Sequence, residues 1–184
     1  MLAYLLAAGH GRRAGGPKAW RLHEGRALLE RQLDFLIPRF GAPNVLVSIQ
    51  AAWLDRCRAL AAGVGWIAID ADAPPFVSLQ ALLAASPEEE PAFLHHVDMP
   101  VWDPAVFDAL ETAARARPRE DAFVPTWRGR RGNPVLLGAR ARRRLAGEPP
   151  AQRLDAWLRS ISPVEVPVEA SCVVENWNFS PPRP

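Results

Sequence analysis

Residues 2–18 read LAYLLAAGHGRRAGGPK. The opening LAYLL is a short, unbroken apolar run, the pattern of a strand covered on both faces. Four glycines follow at once, Gly9, Gly11, Gly15 and Gly16, interleaved with Arg12, Arg13 and Lys18. Glycine allows tight turns and close approach of backbone to a ligand. The exposed N–H groups of such a loop cradle phosphate oxygens. Three cations beside them suit a polyanion such as a nucleoside triphosphate. An ordinary surface loop between strand and helix seldom combines these features directly after a buried strand.

Two other phosphate loops compete for the same residues. Gly9-His10-Gly11-Arg12-Arg13-Ala14 fits the G-x-G-x-x-A form of a dinucleotide site. That site also needs an acidic residue about twenty positions on, at the end of the second strand. Here the second strand runs to Ile49 and Gln50 and ends without an acid, and PKAWRLHEGR stands between the loop and the first helix. A dehydrogenase reading therefore lacks its ribose contact. A Walker loop is excluded because no Gly-Lys-Ser/Thr follows the glycines.

Outward from the loop, apolar runs alternate with helical patterns. Leu28 to Phe40 carries apolar residues at helical spacing, with Pro38 predicting a kink or an early stop. Val45 to Ile49, Trp66 to Ile69 and Ala92 to Val97 read as strands two to four. Ala52 to Ala62 reads as helix, and Ser78 is placed as the N-cap of a helix to Ala85. Asp103 caps the next helix, with Pro104 at its first position. Ala122 to Thr126, Pro134 to Leu137 and Val164 to Val168 are further strands, and Arg140 to Leu145 and Leu154 to Ile161 further helices. This alternation predicts an α/β domain with a mostly parallel sheet covered on both faces. Ligands then bind beyond the carboxyl ends of the strands, where Gly9 to Lys18, Ser48, Asp70 and Asp98 all fall.

The chain has 184 residues, enough for one domain over 1–184, and a formal net charge of +2 gives no field favouring nucleic acid or membrane. The N-terminal apolar run has no preceding positive charge and is too short to span a bilayer, so a cytoplasmic protein is expected. Cys57 and Cys172 form no metal-type spacing and are expected in structural roles.

LAAGHGRRAGGPK resembles the signature of the molybdenum cofactor guanylyl/cytidylyltransferase family, the MobA-like nucleotidyltransferases, written L-A-[AG]-G-x-[GS]-x-R-M-G-x-x-K. Ala14 replaces the usual Met. HHVDMPVWDP is similar to the family's strand ending in D-x-P, GRRGNPVLLG to its G-x-x-G-[HN]-P-[VT]-L segment, and ENWNFSPP to the closing N-x-N-T-P-E. Ser180-Pro181-Pro182 departs from that last motif.

The resemblance implies a Rossmann-like three-layer α/β/α sandwich of the nucleotide-diphospho-sugar transferase type. It implies nucleotide contacts from Leu6, Ala7, Ala8, Gly9, Gly11, Arg13, Lys18, Ser48, Asp70 and Asp98. Asp98 is the implied Mg²⁺ ligand, and Arg13, Lys18 and Asp98 are the implied catalytic set. Arg131, Asn133, Asn176 and Asn178 fall on the acceptor side. The expected reaction moves a nucleoside monophosphate from the triphosphate to a small phosphorylated acceptor, first of all molybdopterin, and releases pyrophosphate. A sugar or alcohol phosphate acceptor, or nucleotide binding without turnover, are the alternatives. Ala8 leans towards the cytidylyltransferases, whereas Asp98-Met99-Pro100 and Asn176-Trp177-Asn178 lean towards the guanylyltransferases and GTP, so the base stays open. Arg128, Arg130 and Arg131 are candidates for an acceptor phosphate. Arg140, Arg143 and Arg144 share one helix face, read as a solvated basic surface.

Overall fold

A computed structural model describes residues 1–11, 16–70 and 72–177, the Pro75 side chain excepted. The expectations for Arg13 and Asn178 lie outside the described residues.

The predicted first strand forms β1 (Leu2–Leu6), at the middle of the sheet. A short hairpin follows, β2 (Leu22–His23) and β3 (Arg26–Ala27), turning on Glu24 and Gly25 with φ of 49° and 76°. Two successive positive φ values are the mark of a type I′ turn. Next come α1 (Leu28–Phe40), β4 (Val45–Gln50), α2 (Leu54–Leu60), β5 (Gly65–Ile69) and α3 (Pro75–Ala84). The second half holds β6 (Ala92–His96), α4 (Pro104–Ala116), β7 (Ala122–Trp127), β8 (Arg130–Arg131) and β9 (Val135–Leu137). It ends with α5 (Ala139–Ala146), α6 (Leu154–Ser160), β10 (Val164–Pro167) and a 3-10 turn at Ser171–Val174.

Apart from the β2–β3 hairpin, the strands make one sheet in the order β10-β7-β9-β6-β1-β4-β5, with β8 paired to β7. β1 pairs in parallel with both β4 and β6, and β4 with β5, while β9 runs antiparallel between β6 and β7. From β1 the chain builds outward to β4 and β5 on one side and returns to β6 on the other. The gap between β1 and β6 is therefore the topological switch point, where the crevice of an open α/β sheet lies.

Alternation along each strand feeds two cores. Ala3, Leu5, Val47 and Phe93 face α1 and α4, with Leu29, Leu36 and Phe107 beneath them. Leu2, Tyr4, Leu46 and Leu94 face α3, α5 and α6, meeting Leu79, Leu145 and Trp157. These are the three layers expected, and the sheet is mostly parallel.

The early stop expected at Pro38 and the cap expected at Ser78 are corrected. α1 runs through Pro38 and ends at Phe40, where Gly41 donates to the Ile37 carbonyl at 2.9 Å. Pro38 is exposed in the last turn, so the carbonyl it leaves unpaired, that of Asp34, lies on the wet face. Ser78 is not a cap. α3 begins at Pro75, because proline at a first helical position already has helical φ and lacks only an N–H that would be unpaired there. Ser78 thus falls inside the helix. Asp103 does cap α4, accepting from the Ala105 N–H at 2.9 Å. Cys57 and Cys172 are both free thiols, and burial pushes the Cys57 pKa up to about 11.

Candidate active site

The carboxyl end of β1 opens into the glycine-rich loop. Gly11 has φ of 61°, and a Cβ there would overlap the Gly16 carbonyl, while Gly16 N–H donates back to Gly11 O at 3.3 Å. Only glycine permits this close return of the chain. Lys18 then starts a 3-10 turn, Lys18–Trp20, anchored by the fully buried Ala19. The carboxyl end of β6 carries Asp98. Its Oδ2 accepts from Lys18 Nζ at 2.5 Å, although the two residues are 80 positions apart. Asp98 is 6% exposed, so its charge is largely desolvated and the ammonium beside it is the compensation.

The turn bearing Asp98 is held at its backbone. Val97 N–H donates to Leu6 O at 3.1 Å, Met99 N–H to His96 O at 3.1 Å, and Trp177 N–H to Asp98 O at 2.9 Å. Trp177 lies tilted against His23 of β2 at 4.5 Å between ring centroids and meets Trp102 edge-on at 5.9 Å. The closing ENW segment is thereby docked beside Asp98.

Two cavities meet at the switch point, sharing Leu6 and His96. The first, of about 460 Å³, is polar along one side, with Lys18, Asp70, Asp72, Ser78 and Asp98 against Ala8 and Gly9. His10 Nε2 meets Asp72 Oδ1 at 3.0 Å across it, and Asp70 Oδ1 accepts from Asp72 N–H at 2.9 Å. The second, of about 580 Å³, is mostly apolar, walled by Leu6, Phe76, Leu79, Met99, Val124 and Val135. Arg131, Asn133, Gln152, Arg153, Asp155 and Arg159, with His96, supply its polar groups.

The structure thus brings Leu6, Ala8, Gly9, Lys18, Asp70 and Asp98 to one cavity and Arg131 and Asn133 to its neighbour. Ala7 is buried below the loop and donates its N–H to Ser48 O at 3.0 Å. Ser48 is 0% exposed inside β4, opposite Leu6, with no partner for its hydroxyl among the described residues. Two positions on, Gln50 reaches the site instead, donating from Nε2 to the Ala8 carbonyl at 3.1 Å. Asn176 is exposed and is not among the described residues lining either cavity.

Of the arginines flanking the acceptor-side segment, Arg131 pairs with Glu165 at 2.7 Å and Arg128 lies 4.6 Å from the centre of the Trp127 ring. Gly132 passes so close to the 171–174 turn that a Cβ would overlap the Val173 carbonyl, and Asn133 N–H donates to that same oxygen at 2.8 Å. The exposed basic face of α5 is paired with acids, Arg140 and Arg144 with Asp121 at 2.6 and 2.8 Å and Arg143 with Glu89 at 3.1 Å.

The two histidines ahead of Asp98 part company. His95 is buried towards α1, where burial pushes its pKa down to about 3. His96 lines both cavities, and burial lowers its pKa, against an opposing pull from Asp98. Sequence reasoning assigned His96 nothing, although the alternation of a strand ending at the switch point places one of two adjacent histidines there.

No curated protein matches the chain in sequence. Solved structures share the fold. Rv0371c from Mycobacterium tuberculosis H37Rv superposes with a TM-score of 0.78 at 20% identity, over 97% of this chain and 94% of that one. A complex of that protein with manganese gives 0.72 at 20% identity, over 98% and 92%. Molybdopterin-guanine dinucleotide biosynthesis protein A from Archaeoglobus fulgidus gives 0.67 at 20% identity, over 92% and 84%. 4-Diphosphocytidyl-2C-methyl-D-erythritol synthase from Anaerococcus prevotii gives 0.67 at 15% identity, over 94% and 90%. The family model described as the MobA-like NTP transferase domain matches residues 3–166, and the chain, a nucleotidyltransferase, belongs to that family.

Proposed function

We propose that the protein transfers a nucleoside monophosphate from a Mg²⁺-bound nucleoside triphosphate to a small phosphorylated acceptor, molybdopterin being the first candidate. The observation that carries this reading is the Lys18–Asp98 contact in the polar cavity, which adjoins the second cavity at Leu6 and His96. A phosphate oxygen of the acceptor forms a bond to the α-phosphorus, and the bond from that phosphorus to the bridging oxygen of the leaving pyrophosphate breaks. The acceptor is already anionic, so no strong general base is needed. Catalysis is positioning and charge neutralisation.

Among the described residues no group of three or more metal-ligating side chains exists. That suits Mg²⁺, which takes one or two carboxylates and completes its shell with water and substrate phosphates. Asp98 would hold it, and bound Mg²⁺ would supply charge neutralisation at the phosphates. Lys18 would then exchange the Asp98 carboxylate for triphosphate oxygens, so neither side chain is left buried without a counter-charge before or after binding. Arg13 would add a second cation. Asp70 would contact the nucleotide from the end of β5, and Gln50 would fix the Ala8 backbone on the same side.

The second cavity favours molybdopterin over a sugar phosphate. Walls of Leu, Phe, Met and Val accept the face of a fused ring, and Asn133, Gln152 and Asp155, with Arg131, Arg153 and Arg159, offer partners to the amino, carbonyl and N–H groups along its edge. A polyhydroxylated body would bury hydroxyls against those walls without partners, at about 1–3 kcal/mol each.

The test is pyrophosphate release from GTP and from CTP with Mg²⁺, with molybdopterin and with a hexose 1-phosphate as acceptors. Release with one triphosphate and molybdopterin is expected, and Asp98→Asn should abolish its Mg²⁺ dependence. Release only with the hexose phosphate would move the assignment to sugar-nucleotide synthesis. No release with any acceptor, despite tight nucleotide binding, would leave a binding module.

A further inference from the structure

The buried stripe of α1 holds leucine at 28, 29, 33 and 36, and one amide, Gln32, at 0% exposure among them. An amide there costs free energy unless its polar atoms are bonded. Each of them is. Nε2 donates to the Met99 carbonyl at 2.8 Å and the Val97 carbonyl at 3.3 Å. Oε1 accepts from Trp102 Nε1 at 3.1 Å and from His95 Nε2 at 3.0 Å. An amide oxygen can only accept, so this network assigns the His95 proton to Nε2. Two donors and two lone pairs, the full capacity of the side chain, are spent on residues 95 to 102.

Val97 and Met99 are the residues on either side of Asp98. The other backbone bonds of this turn tie it to β1, to the end of β6 and to the 171–177 segment. Gln32 adds the tie to α1. We infer that Gln32 is a positioning residue: its carboxamide grips the carbonyls flanking Asp98 and thereby sets where the Asp98 carboxylate stands against metal and triphosphate. This rests on the proposed role of Asp98. An error of about 1 Å in such placement can cost up to about a hundredfold in rate, and loss of a group that orients a metal ligand costs about ten- to a hundredfold in metal affinity.

Two variants test it. Gln32→Met keeps the length of the side chain and loses all four bonds. Gln32→Glu keeps acceptor atoms for Trp102 and His95 but sets a carboxylate oxygen against the two carbonyls. For each, the Mg²⁺ concentration giving half-maximal pyrophosphate release is measured, with the melting temperature. Calorimetry then gives the affinity for GTP and CTP, with Mg²⁺ and again in EDTA. Both variants are expected to need about tenfold more Mg²⁺ and to lose the Mg²⁺-dependent gain in nucleotide affinity, while their affinity in EDTA stays at the wild-type value. If Gln32→Met does not fold, Gln32→Glu carries the same reading. A lower melting temperature with wild-type Mg²⁺ response and turnover in the folded variants would overturn the inference, because the amide would then only stabilise the core. Asp98→Asn runs alongside. If it keeps its Mg²⁺ response, the role of Asp98 fails and the clamp with it; if it loses that response while the Gln32 variants do not, the clamp alone fails.

Discussion

Lys18 and Asp98 form one contact, but their loss has different consequences. On the proposed mechanism Lys18→Ala removes a cation that would meet the triphosphate, and it also strands a largely desolvated carboxylate. Loss of one charge-assisted transition-state contact is worth about 3 kcal/mol, or about a hundredfold in turnover. Arg13→Ala should cost a similar factor. Steady-state turnover of the purified, folded variants checks both, and near-wild-type rates would remove the loop from the mechanism. Ser48 makes the opposite case. Its hydroxyl is buried without a partner among the described residues, so Ser48→Ala should hold or raise the melting temperature and leave nucleotide affinity unchanged, since removing an unsatisfied buried donor relieves a cost. A drop in affinity by calorimetry would restore Ser48 to the site. Lys18 and Asp98 were each legible as site candidates because each sits in a motif with a mechanism attached, but their pairing comes from the structure alone. Gln32, Gln50 and His96 were not, because an amide in a leucine stripe or one of two adjacent histidines has no spacing that marks it.

Elements were legible wherever periodicity spoke. α1 matches its predicted span, and each predicted strand forms within a residue or two of its expected ends. The two tight hairpins were missed. Their turns, Glu24-Gly25 and Arg128-Gly129, place a long charged residue at positive φ, where Asn or Asp would have announced a type I′ turn. On the proposed mechanism triphosphate binding depends on the loop between β1 and the Lys18 turn. Gly11→Val should abolish triphosphate binding while the sheet still folds. A branched side chain is strained at positive φ, and its Cβ would collide with the Gly16 carbonyl. Calorimetry with GTP and CTP decides it, against a circular dichroism spectrum that should match wild type. Unchanged affinity would mean that the loop does not touch phosphate.

At the scale of the whole molecule, the strand order was the illegible part. Periodicity says which segments are strands, but not that β9 would turn antiparallel between β6 and β7 or that β1 would lie between β4 and β6. That order puts two histidines at the switch point, one of them sealed in the core, and so ties global stability to pH. His95 is held neutral when folded, with its pKa lowered by burial to about 3, against 6.5 for an ordinary histidine. Above pH 6.5 neither the folded nor the unfolded chain protonates this group, and its contribution is constant. Between about 6.5 and 3 the unfolded chain takes up a proton that the folded chain refuses. Stability therefore falls as pH falls through that window, and His96, lowered in the same direction by burial, adds to the slope. Urea unfolding at pH 7.5, 6.0 and 5.0 should show a progressive loss of stability. His95→Gln, which keeps a donor available to Gln32, should flatten part of that dependence. An imidazole NMR signal for His95 that titrates near pH 6.5 in the folded protein would show that the sealed, neutral histidine is not the source of the acid sensitivity.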